Sequence, residues 1–246
     1  MGLYSDLSCN PWCNPPGAPE LPEGQLHLWR VLLDVLPADE SCLTPDEQIR
    51  AGKLIHAHSR HRFITMRSAL RSVLSQYLQI SPGSLVFTYG EHGKPALSEE
   101  QNEPDLRFNV SHSGPLGILG VASGSELGVD VETRQNVVDY MSIARRFFAP
   151  SEYAGLSEIP EPQRHRAFLR CWTRKESYIK ALGQGLACSL KSFAVSVSPD
   201  MSQDALLEHS CPGAYHVSDV ALPEDFCAAI AIEGRDRLRR CWTYLG

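Results

Sequence analysis

With 246 residues, 43% of them apolar, and charges interspersed along its length, the chain can bury a sizeable core, which excludes a disordered or fibrous protein. Its formal net charge of −6 argues against a nucleic-acid partner, and no apolar run approaches the roughly 20 residues of a spanning helix, so no membrane partner is expected either. The 8 cysteines form no CxxC pair, and Cys9 and Cys13 lack a matching His/Cys pair downstream, so reduced, packed thiols in a cytoplasmic protein are expected rather than a zinc site.

The first 24 residues hold 5 prolines after position 10 and read as an irregular, surface-hugging segment, with neither a secretory signal nor a myristoylation motif. TPDE at 44–47 is a capping box with proline at the first helical position, which predicts a helix start. Phe63, Met66, Leu70, Val73, Leu74 and Tyr77 then keep helical spacing. Between Arg50 and Arg71 the chain carries 6 Lys/Arg, 3 His and no Asp or Glu. Lys53, Arg60, Arg67 and Arg71 share one stripe if the helix runs unbroken through Gly52. Such a run reads as a site for a small polyanion or as a solvated helix face.

SPGSLVFTYGEHGKPAL predicts turn, strand and turn, and three short strands follow at 106–111, 116–122 and 127–132. Helices are expected around 138–148 and from APSEY onward. A second long helix covers EPQRHRAFLRCWTRKESYIKALG, with Gly183 as its stop. Strands are expected at 192–197, 215–220, 226–232 and 241–245. Helix then strands, twice over, predicts an α+β fold of two similar lobes with a cleft between them. The expected lobes are 1–122 and 123–246, divided near the turn at 122–126.

In LGVDVE, Asp130 and Glu132 fall two apart on a strand and share a face, while Val129 and Val131 turn the other way. Two carboxylates that close suit a hard divalent ion such as Mg²⁺, or belong to an ordinary solvated strand face. Glu176 and Lys180 lie one helical turn apart beside Trp172. They are either an i,i+4 ion pair or the third acid and the ammonium of a metal–pyrophosphate site. Lys94 sits in a GKP turn where an anion can approach, and FNVSHS ends a strand with Ser111 and His112, both able to donate to phosphate oxygens. Adjacent strand residues point apart and no G-x-S-x-G elbow is present, so Ser111 and His112 are not expected to form a hydrolytic pair. No G-x-x-x-x-G-K-[ST] or G-x-G-x-x-G loop is present.

Taken together, GKP, FNVSHS, LGVDVE, RFFAPSEY and WTRKESYIKALGQGL resemble the Sfp-type 4'-phosphopantetheinyl transferases over about residues 57–193. That resemblance implies Mg²⁺-dependent transfer of 4'-phosphopantetheine from coenzyme A to a serine of an apo acyl or peptidyl carrier protein, releasing 3',5'-ADP. It also implies lobes related by a pseudo-twofold, each a small, mainly antiparallel sheet packed with a long helix, with coenzyme A in the cleft. Carried over by position, Asp130, Glu132 and Glu176 match the metal ligands and Lys180 the pyrophosphate contact. Arg62, Arg67, Lys94, Ser111 and His112 match coenzyme A contacts, and Glu152 an acidic residue that serves either in catalysis or in capping a helix. For the serine proton, Glu176, Glu152 and a metal-bound water are all open as base, with Glu176 favoured. Arg145, Arg146 and Phe147 are a candidate docking position for an acidic carrier, and two lobes in one chain lead us to expect a monomer. Two rivals remain: a Mg²⁺-dependent phosphoryl or pyrophosphate hydrolase using the same acids, and a non-catalytic coenzyme A or carrier-protein binder.

Overall fold

The near-continuous apolar run LHLWRVLL between Gly24 and Pro37 forms β1 (Gln25–Leu32), a strand the sequence patterning did not reveal. A computed structural model describes residues 12–15, 17, 19–102, 105–134, 139–198, 205–208 and 214–246; Cys9, Cys211, Val138 and most of the proline-rich first segment lie outside them. In chain order β1 is followed by α1 (Pro45–Gly52), α2 (Ala57–Leu78), β2 (Phe87–Tyr89), β3 (Pro95–Leu97), β4 (Leu106–Ser113), β5 (Leu116–Ser123) and β6 (Leu127–Thr133). Then come α3 (Tyr140–Phe147), α4 (Pro150–Glu158), α5 (Glu161–Leu182), β7 (Ala194–Val195), β8 (Leu206–Glu208), β9 (Tyr215–Asp219), β10 (Phe226–Glu233) and β11 (Leu238–Thr243). The fold is α+β, as expected, and the contacts divide it into two compact units.

One unit comprises residues 11–90, 95–124 and 237–246. Its sheet has the order β11-β1-β5-β4, with β1 antiparallel to β5 and parallel to β11. The final strand, expected with the second half of the chain, thus completes the sheet of the first. Trp29, Val31, Leu119, Val121, Leu106 and Phe108 from the strands pack on Met66, Ala69, Leu70, Val73 and Leu74 of α2. These helical positions recur every three or four residues, the spacing of one buried face. Gly52 does end α1, so the expected stripe is broken and Lys53 caps the shorter helix.

The other unit comprises residues 1–10, 91–94 and 125–236. Here α5 lies on an antiparallel sheet of order β6-β10-β9, with Asp130 opposite Ala229 and Glu132 opposite Cys227. Phe168, Leu169, Cys171, Tyr178 and Ile179 of α5 form the core with Ala231 and Cys227 of β10 and with Phe148, Leu156 and Phe193. Gly183 ends α5 at φ +66, donating its N–H to the carbonyls of Ile179 and Lys180. A left-handed residue is the usual stop for a helix, and glycine adopts it without Cβ strain. No helix among the described residues is long and apolar enough to cross a membrane.

Candidate active site

Asp130, Glu132, Glu176 and Lys180 are brought together by a glycine. Gly128 lies on the same face of β6 as Asp130 and Glu132, and the backbone of α5 rests directly on it. A Cβ there would stand 2.8 Å from the carbonyl carbon of Lys180, and closer still to Ser177 O and Ala181 N. The helix therefore passes within backbone contact of the strand, one turn from Glu176 and beside Lys180. Lys180 Nζ donates to Asp130 Oδ1 at 2.6 Å, with Asp130 only 5% exposed. Burial pushes the Glu176 carboxyl above its ordinary range; Asp130 adds to the rise, Lys180 opposes it, and Glu132 adds further. All three carboxylates thus share one field with a single ammonium. Val129 and Val131 are buried on the opposite face, as the strand alternation requires.

Among the described residues no group of three or more His, Cys, Asp or Glu is placed so that it could hold a metal ion. The chemistry of the donors still fits a hard cation. Burial first, and then the Asp130 and Glu132 charges, lift Glu176, and a divalent ion would relieve the part that comes from those charges.

Glu152, named with the catalytic candidates, has its carboxylate bonded at the start of α4. It is 2% exposed; Oε2 accepts the Ala149 N–H at the start of α4 (2.7 Å), while Oε1 accepts Lys175 Nζ (2.6 Å) and the Val195 N–H (2.8 Å). Lys175, fully buried, also donates to Phe193 O at 2.7 Å. Glu152 thus ties α4, α5 and β7 together, and neither oxygen is open to a substrate proton.

Of the expected coenzyme A contacts, Lys94 belongs to the same unit as β6 and α5, where its ammonium meets Glu126, Leu127 O and Ala181 O. Arg62, Arg67, Ser111 and His112 lie in the unit built on α2. Alternation along β4 buries Ser111 and exposes His112 on the opposite face. Arg62 makes a two-pronged bond to Asp34, both contacts at 2.7 Å. Arg67 and Arg71 share the buried carboxylate of Glu47, and both guanidinium groups lie 5.0 Å from the Phe87 ring centre. Much of the basic run is therefore paired with Asp34, Glu40 and Glu47, acids that immediately precede it.

Glu47 carries a pH consequence. Burial alone would raise its carboxyl, but hydrogen bonds from Arg71, the Thr44 N–H and Arg67 outweigh that and hold it below the ordinary range. A depressed carboxyl adds stability that is full above its unfolded value of about 4.3 and is lost as pH falls through the folded one. Glu47→Ala strands the buried Arg71 charge and is expected to cost about 3–5 kcal/mol. Urea midpoints measured from pH 7 to 3 should show that the variant has lost the acid-dependent part of the decline; an unchanged pH slope would overturn the assignment.

Residues 126–231 match the model of the 4'-phosphopantetheinyl transferase superfamily, and residues 27–124 match that of the 4'-phosphopantetheinyl transferase N-terminal region. The chain is 35% identical to the 4'-phosphopantetheinyl transferase HetI of Nostoc sp. over 95% of its own length and 98% of that protein's. It is 32% identical to the 4'-phosphopantetheinyl transferase Sfp of Bacillus subtilis, over 65% of this chain and 69% of that one. Among solved structures, the holo-(acyl-carrier-protein) synthase of Bacillus anthracis in complex with CoA (3',5'-ADP) gives a TM-score of 0.38 at 18% identity, over 44% of this chain and 94% of that one, an overlap too limited to bear on the site. Near-complete coverage by HetI, together with family matches over both halves of the chain, establishes that the protein belongs to the 4'-phosphopantetheinyl transferase superfamily.

Proposed function

We propose that the chain transfers the 4'-phosphopantetheine of coenzyme A to a serine hydroxyl of apo acyl or peptidyl carrier proteins, with 3',5'-ADP leaving and Mg²⁺ as the metal. The observation that carries this reading is the meeting of Glu176 and Lys180 with Asp130 and Glu132 where α5 crosses Gly128. Asp130, Glu132 and Glu176 would hold the Mg²⁺, which when bound supplies charge neutralisation to the diphosphate as its bridging bond breaks. Lys180 offers a charge-assisted donor to the same diphosphate.

Glu176 is the proposed base. Its carboxylate takes the serine proton as Oγ bonds to the β-phosphorus, the bond from that phosphorus to the bridging oxygen breaks, and the electron pair leaves with 3',5'-ADP. As a carboxylate beside the reacting groups, Glu176 can accept that proton directly or through a water. Arg62, Arg67, Ser111 and His112 are the proposed donors to the phosphates and adenine end of coenzyme A; at Arg67 a phosphate would compete with Glu47. Arg145 and Arg146 of α3, beside the 40%-exposed Phe147, suit the surface of an acidic helical carrier.

Incubating the protein with coenzyme A, Mg²⁺ and an apo-carrier is expected to add one phosphopantetheine to the carrier, read as intact mass. Cleavage of coenzyme A with no gain on the carrier would support hydrolysis instead, and binding with neither product would reduce the protein to a binder.

A further inference from the structure

Resting on the transferase reading above, we propose that Lys94 is a positioning residue of the transfer site and not a ligand of the donor's phosphates. Its ammonium donates to Glu126 Oε2 at 2.6 Å and to the carbonyls of Leu127 and Ala181, both at 3.1 Å. An ammonium has three hydrogens, and these three acceptors use them all. Two of the acceptors are backbone atoms of the elements that build the site. Leu127 opens β6, three residues before Asp130, and Ala181 follows Lys180 in the last turn of α5.

The carbonyl of Ala181 is among the last four of its helix, which have no partner within the helix and sit at the negative end of its dipole. Gly183 takes up two of those four, from Ile179 and Lys180, and Lys94 takes a third. The missing Cβ of Gly183 would stand 3.4 Å from Lys94 Cδ, and that of Gly185, at φ +51, 3.2 Å from His92 Cβ.

Lys94 thus splints the start of β6 to the end of α5, and so fixes where Glu176 and Lys180 stand relative to Asp130. Binding a phosphate would require the ammonium to give up at least one of these three acceptors, either a charged partner or a carbonyl that ties an element of the site.

The test uses the full chain, coenzyme A, Mg²⁺ and an apo-carrier, with Lys94→Met, Lys94→Arg and Glu126→Gln. A splint lost lets the helix end drift, and about 1 Å of misplacement costs about 10²-fold, so Lys94→Met should lower kcat by about 10- to 100-fold while the KM for coenzyme A stays within about threefold. Lys94→Arg should restore most of the turnover. Glu126→Gln should give a weaker defect of the same kind, and it remains informative if Lys94→Met fails to fold. Hydrogen exchange of amides 178–183 should quicken in Lys94→Met, with those of β1 and β5 unchanged. A KM raised about tenfold or more at unchanged kcat would overturn the proposal and make Lys94 a donor ligand. So would a full loss in Lys94→Arg alongside unaltered exchange at the helix end. If the wild-type protein transfers nothing, the transferase reading fails separately, and the exchange measurement still decides whether Lys94 holds the helix.

Discussion

Asp130→Asn is expected to lower transfer by about 10²–10³-fold at saturating coenzyme A and Mg²⁺, the range seen when one preorganised electrostatic group is removed from a reacting centre. The substitution preserves shape, so the mostly buried side chain still fills its place, but the site loses a full negative charge next to Lys180. Lys180 stays partly exposed and keeps its hydration, so loss of the Asp130 charge does not unfold the chain. Glu176→Gln should be at least as damaging, since it removes both a proposed ligand and the proposed base. Removing that charge also removes the burial cost, and then the repulsion from Asp130 and Glu132, that raise Glu176 itself, so the variant should be no less stable than the wild type. The pair separates site from scaffold: turnover collapses while the melting temperature holds. Near-normal turnover in either variant would end the assignment of these acids. The double variant should lose little more than the worse single one, because groups that act on one reacting centre are not additive.

The strand and helix that carry the candidate site residues are more legible in the sequence than the scaffold around them. D-x-E on a strand and E-x-x-x-K on a helix follow simple periodicities, and α5 with its glycine stop was readable from spacing alone. β1 escaped because it is buried on both faces, so its apolar run does not alternate, and His27 and Arg30 interrupt it without marking a surface. Its parallel partner β11 lies some 200 residues away, beyond the reach of any local pattern. The basic run from Arg50 to Arg71 was read from its own composition, whereas its electrostatics are settled by Asp34, Glu40 and Glu47 just upstream. For Glu152 the sequence leaves catalysis and capping level, because the partners Lys175 and the Val195 N–H lie 23 and 43 residues away. In the sequence, Lys94 reads as an anion contact because its GKP turn lets both backbone and ammonium approach an anion. What distinguishes it here is the carbonyl at the end of a helix 87 residues later in the chain.

Gly128→Ala tests the close approach on which the site depends, and it is expected to be the most damaging single methyl in this unit. Gly128 has an ordinary strand backbone, so alanine costs nothing in conformation and the whole effect is collision. The atoms met are Ser177 O, Ala181 N and the carbonyl carbon of Lys180, all helix backbone, which cannot rotate aside. Overpacking of this kind costs about 1–3 kcal/mol, and rigid backbone on one side puts this case near about 3. For a chain of this size that is a fall of about 6–12 °C in melting temperature. Relief can come only from α5 lifting off β6, which carries Glu176 and Lys180 away from Asp130, so turnover should drop by about 10²-fold even well below the melting point. Gly117→Ala in the other unit is the matched control. Its added methyl also collides, but with Met66 Sδ, the flexible part of a side chain that can swing away. That variant should lose less stability and keep its turnover. Equal effects from the two alanines, or full activity in Gly128→Ala, would mean that backbone contact between helix and strand does not set the site.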